Sequence, residues 1–94
     1  MSGYKYKLIE TSLFKKTRKL AKKRGFDLSL LEEPITLLAK GERLPPKYRD
    51  HRLKGELSAF RECHIKGDWF LVYRVLEDRL ILSLHATGSH SDIF

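Results

Sequence analysis

Four histidines, His51, His64, His85 and His90, all lie beyond residue 50 of a 94-residue chain. Imidazole is the side chain that gains and loses a proton most readily near neutral pH. Two of the four sit in the run Asp50 to Trp69, DHRLKGELSAFRECHIKGDW, where Asp68 directly precedes the one tryptophan. These residue types suit metal-free cleavage of RNA. Attack of a ribose 2′-hydroxyl on the adjacent phosphorus needs a base for that hydroxyl, an acid for the departing 5′ oxygen, and cationic or donor groups at the phosphoryl oxygens. Histidine can fill either proton-transfer role, Arg52, Lys54 and Arg61 can meet phosphate, and Trp69 or Phe94, if exposed, can stack on a base. A solvated basic rim and ordinary core packing are the competing readings of those cations and aromatics.

Two other chemistries fit less well. Three histidines and a carboxylate can satisfy zinc, yet no pair has the spacing of a helical or knuckle ligand set, and strand alternation turns Cys63 and His64 to opposite faces. No metal and no cofactor is therefore expected. Cys63 falls on the presumed core face of a strand, where a small buried thiol is an inert packing residue.

Composition sets the frame for these groups. Hydrophobic residues make up 41% of the chain and charged ones 33%, which is globular rather than disordered, and the length suits one domain, 1–94. The net charge of +7 is lopsided: Met1 to Gly25 holds nine Lys or Arg and one acid, while Phe26 to Phe94 holds ten basic and eleven acidic residues. A basic first quarter points to an anionic partner, nucleic acid or an acidic protein, unless it is only a solvated helix face. A single cysteine permits no internal disulfide, and no apolar run has the length of a secretory signal or a membrane helix. A cytoplasmic protein without a membrane partner is expected.

The elements that must position the histidines follow from periodicity. Alternation over residues 4–10 reads as a strand. Thr11 or Ser12 then caps a helix that buries Leu13, Phe14, Thr17, Leu20 and Ala21 and exposes Lys15, Lys16, Arg18, Lys19, Lys22, Lys23 and Arg24, with Gly25 closing it and Phe26 folding back on the last turn. A second helix ends near Lys40 and Gly41; it begins after Asp27 or Ser29, in which case Pro34 kinks it, or begins at Glu33. Residues 44–47, with Pro45 and Pro46, form an extended connection. Strands follow at residues 58–65, 69–76 and 79–86, joined by tight turns that bring Asp68 and Trp69 near His64. Together these predict an α+β fold, an antiparallel sheet of about four strands with both helices on one face. His51 is placed in a loop before the strands and His90 in a tail after them.

At these residues the chain resembles the YafQ branch of the RelE/ParE superfamily, bacterial mRNA interferase toxins of type II toxin–antitoxin systems. The matching blocks are KYRDHRLKG (47–55), FRECHIKGDWFLVY (60–73) and TGSHSDIF (87–94). The N-terminal half agrees mainly in its order of a strand and two helices. The resemblance implies a ribosome-dependent endoribonuclease that cuts translated mRNA in the A site and is held inactive by a cognate antitoxin. Its implied catalytic set is His51, His64, Asp68 and His90, with Asp68 orienting an imidazole or the 2′-hydroxyl and with Trp69 and Phe94 holding the substrate base. On this reading the basic helix face meets ribosomal RNA or the antitoxin. Two departures stand out: Ala86 replaces an arginine common in the family, and Pro34 interrupts a helix. His85 has no family counterpart and is not expected to be catalytic. The rival readings are a non-catalytic ParE-like toxin, whose branch lacks the histidines, and a basic RNA-binding module.

Overall fold

The structure, a computed structural model, describes residues 3–94. Its elements are β1 (Lys7–Glu10), α1 (Ser12–Lys23), α2 (Glu32–Ala39), β2 (His51–Arg52), β3 (Arg61–Lys66), β4 (Trp69–Leu76), β5 (Ile81–Gly88) and α3 (His90–Ile93). Short 3₁₀ turns occupy Leu28–Leu31, Pro46–Tyr48 and Gly55–Leu57. The strands lie side by side in the order β1-β5-β4-β3-β2.

The α+β class is as expected, but three details of the predicted architecture need correction. The sheet is mixed, because β1 runs parallel to β5 with Lys7 opposite Ile81 and Glu10 opposite Leu84. Alternation along a strand reports its faces and not its direction; a parallel neighbour requires a crossover, here the chain through α1 and α2. Among the described residues there are five strands rather than about four, since His51 and Arg52 pair with Glu62 and Arg61 as β2. A third helix, one turn long, occupies the expected tail, started by a capping box between Ser89 and Asp92.

Local signals explain the two longer helices. The Thr11 hydroxyl accepts the Phe14 amide at the start of α1, and Gly25, at φ 85°, closes it. The Gly25 and Phe26 amides then reach the Lys22 and Ala21 carbonyls, both at 3.0 Å, which is the Schellman arrangement. Asp27 caps the 3₁₀ turn at Leu28–Leu31 and α2 begins only at Glu32. Pro34 therefore falls in the first turn, where amides have no intrahelical acceptor, and its missing donor breaks no helical hydrogen bond. The Pro45–Pro46 segment also differs from expectation: it tightens into a 3₁₀ turn that carries Tyr48 into the core, 6% exposed.

The core lies between the helices and one face of the sheet. Phe14, Leu31 and Leu38 pack against Cys63, Leu71, Tyr73, Leu82 and Leu84. Leu71, Leu82 and Leu84 are fully buried, each contributing roughly 1.5–3 kcal/mol. A polar seam crosses this layer. The Thr17 hydroxyl accepts the Thr87 amide at 3.0 Å, and the Thr87 hydroxyl accepts Trp69 Nε1 at 2.8 Å while donating to the Phe70 carbonyl. That seam fastens α1 to the end of β5, from which the tail departs.

Candidate active site

Along β3, consecutive residues alternate between the two faces. Cys63 turns inward, fully buried, and burial pushes its thiol up to about 12, so it is no nucleophile at neutral pH. Glu62 and His64 turn to the opposite face. Strand pairing sets Glu62 beside His51 and Val72, and sets His64 beside Phe70. The hairpin thus brings Phe70, not Asp68, alongside His64.

Glu62 is the hub of the arrangement. It is 2% exposed, its Oε2 lies 2.7 Å from His90 Nε2 and its Oε1 lies 3.4 Å from His51 Nε2. The His90 ring stacks on Phe70, centroids 4.1 Å apart and planes 11° apart, while His64 meets Phe70 edge-on at 4.6 Å. Phe94 stands near His90, ring centroids 5.7 Å apart and tilted by 55°. Glu62 is not among the site residues that the sequence suggested. The available signal was an acid two residues before a strand histidine, on the same face.

The ring nitrogens can be assigned from their partners. His51 Nδ1 lies 2.7 Å from the Arg49 carbonyl; a carbonyl only accepts, so that nitrogen carries the hydrogen and Nε2 is left facing Glu62. His90 Nε2 faces the same carboxylate, so it donates and Nδ1 is the free position. Burial pushes His64 below the usual histidine range, with Arg49 and the other two imidazoles acting in the same direction and Glu62 opposing. Burial thus favours the neutral form of His64.

Beside this cluster opens a cleft of about 400 Å³, lined among others by His51, Arg52, Lys54, Glu62, His90 and Phe94. Arg52 and Lys54 stand exposed on its rim and Phe94 is 55% exposed. Ala86 lies opposite Val72 on β5, fully buried. His85 sits apart against Phe60, centroids 4.5 Å apart.

Three expected site residues lie elsewhere. Trp69 is 3% exposed, packs on Phe26 at 4.9 Å and gives its Nε1 hydrogen to Thr87, so it is an anchor of the core and not an exposed stacking platform. Asp68 follows it to the helix side, lining a separate cleft with Phe26, Leu30 and Lys66, and touches no imidazole. Arg61 points opposite to Glu62 and holds the Asp50 carboxylate at 3.2 and 3.3 Å, with the Tyr73 hydroxyl donating to the same group. Its guanidinium fixes the residue before His51 rather than meeting phosphate.

The basic helix is also less uniform than its sequence. Arg18 pairs with Glu10 at 2.8 Å and Arg24 with Asp92 at 3.0 Å. Lys15, Lys16, Lys19, Lys22 and Lys23 are exposed and make no ion pair among the described residues.

A metal is geometrically possible where the sequence spacing gave no hint of one. Ligand atoms of His51, Glu62 and His64 lie within 4.8 Å of one another, and two imidazoles with a carboxylate form a set that zinc or copper accepts. Among the described residues no helix is long and apolar enough to cross a membrane.

Known proteins resemble this chain in sequence and in fold. The chain is 39% identical over 82 residues to the mRNA interferase toxin YafQ of Escherichia coli K12, covering 86% of this chain and 87% of that one. A crystal structure of a copper-bound mutant toxin from Helicobacter pylori superposes with TM-score 0.88 at 45% identity, covering 95% of this chain and 99% of that one. The toxin of the E. coli DinJ-YafQ toxin-antitoxin complex superposes with TM-score 0.85 at 32% identity, covering 96% and 98%. Residues 6–94 match the family described as the bacterial toxin of type II toxin-antitoxin system, YafQ, and the chain belongs to that family.

Proposed function

We propose that this protein is an endoribonuclease toxin that cleaves translated mRNA in the ribosomal A site, needs no metal, and is neutralised by a cognate antitoxin. The observation that carries the reading is a carboxylate, 2% exposed, bonded to His90 and facing His51. Such a group is costly to bury unless its partners need its charge. The curated E. coli relative is called an mRNA interferase, and a related toxin is seen in complex with DinJ.

In the proposed reaction a neutral imidazole takes the 2′-hydroxyl proton. His64, held neutral by burial, is assigned that task, with His51 beside it. The 2′ oxygen attacks phosphorus, the bond to the 5′ oxygen breaks, and that oxygen takes the Nδ1 proton of His90 in its imidazolium form, whose Nε2–H stays with Glu62. The products are a 2′,3′-cyclic phosphate and a 5′-hydroxyl. Arg52 and Lys54 on the rim bind the phosphates, Phe94 packs on a base, and the five unpaired lysines of α1 meet ribosomal RNA or acidic antitoxin residues.

Primer extension on a translated mRNA tests this. The wild type should cut with chelator present, and His90→Ala should lose about 100-fold or more of the rate. Loss of cutting in chelator would instead assign the His51, Glu62 and His64 set to a required metal. Growth arrest that survives removal of His64 and His90 together would point to a non-catalytic toxin.

A further inference from the structure

His90 and Phe94 reach the cleft from a single helical turn, α3, that directly follows β5. What fixes that turn is Asp92. Its carboxylate accepts the Ser89 amide and hydroxyl, closing the capping box. It is also gripped by both terminal nitrogens of Arg24, Nη1 to Oδ2 and Nη2 to Oδ1, each at 3.0 Å. The fork is bidentate, the geometry in which guanidinium and carboxylate hold each other's orientation as well as position. The Asp92 side chain is 8% exposed, and Gly88 presses on it so closely that a Cβ there would stand 3.1 Å from Asp92 Cβ, at a φ of +144° that disfavours any other residue.

The other end of the fork is equally fixed. Arg24 is the C-cap of α1, its amide bonded to the Leu20 carbonyl, with the Gly25 turn immediately after. We infer that Arg24 is a positioning residue for cleavage: through Asp92 it holds α3 so that His90 meets Glu62, and it is not one of the phosphate-binding cations of the basic helix. This rests on the proposed role of His90. Among the described residues it is the one ion pair joining α1 to the tail.

The test compares the full chain with Arg24→Gln, Arg24→Lys, Asp92→Asn and the double variant Arg24→Gln/Asp92→Asn. Asparagine keeps an oxygen for the Ser89 cap but loses the charge and one of the two acceptor oxygens of the fork. Each of Arg24→Gln and Asp92→Asn should lower kcat on translated mRNA about tenfold with KM nearly unchanged, and the double variant should be no worse than either. Arg24→Lys should fall between, because an ammonium group cannot make the fork. Backbone amide relaxation should show residues 91–94 gaining fast motion in the Gln and Asn variants while α1 does not.

Three results would overturn the inference. In the first, Arg24→Gln raises KM and flattens the salt dependence while Asp92→Asn is silent, which would make Arg24 a phosphate contact. In the second, the two losses add. In the third, the tail amides are as ordered as in the wild type. If His90→Ala cut as well as the wild type, the cleavage reading would fall, and the relaxation data would still decide whether Arg24 holds the tail.

Discussion

The two faces of β3 differ more sharply than any two elements of the molecule, although they are one residue apart. Cys63 lies in a dry layer of leucines and tyrosines where burial disarms its thiol. Glu62 and His64, its immediate neighbours, meet three ring systems on the other side, where Glu62 also lines a cleft. Burial is nearly as complete for Glu62, at 2%, as for Cys63, at 0%. Depth alone therefore does not separate scaffold from site. The difference lies in what each buried group is given: Cys63 has apolar neighbours, whereas Glu62 has two imidazole nitrogens.

The widest test of this contrast is Glu62→Gln. The amide fills the same space without the charge, so cleavage should fall about 100-fold or more while the melting temperature holds or rises. Parallel loss of fold and activity would mean that Glu62 is structural. Leu71→Ala, on the opposite face, should do the reverse. It should cost about 2–5 kcal/mol in denaturant unfolding, with the cleavage rate per folded molecule near wild type. A rate loss beyond the unfolded fraction would show that the two faces are coupled.

The smallest expected effect comes from pH. His64 and His85 both have folded values below the ordinary 6.5, so the unfolded chain binds more protons than the native one as the solution becomes acid. The stability they contribute is complete above about 6.5 and is lost as pH falls through their lower native values. The acidic limb of kcat/KM should also lie below 6.5 if His64 is the base, since it must be neutral to accept a proton. A limb above that value would move the base to another ring.

Much of this arrangement could be read from residue order, and the misses have specific causes. Gly25 after a basic helix fixes the Schellman closure, and alternation alone turns Cys63 away from His64. Neither depends on distant parts of the chain. The direction of β1 does depend on them, because it is set by where α1 and α2 leave the chain. Asp68 and Trp69 were misplaced because the register shifts between His64 and Lys66 as the hairpin turns, and a shift of this kind changes which side chains share a face. The family likeness pointed to both residues without saying which way they face. Arg61 and Arg24 look like free cations in sequence since their acids, Asp50 and Asp92, lie 11 and 68 residues away. Glu62 is an ordinary strand acid in the sequence, and its role needed His90, which only the fold-back of α3 delivers.

The bond from the Thr87 amide to the Thr17 hydroxyl also gives the molecule a built-in reporter. Most amides of a sheet exchange with solvent deuterium when strands part. The hydrogen of Thr87 is held by a helix side chain, so it becomes free when α1 lifts away even if β4 and β5 stay paired. Its exchange rate, set against that of the core strand amide of Leu71, would separate undocking of the basic helix from melting of the sheet. Slowing of the Thr87 amide alone upon binding would identify a partner that clamps α1 down.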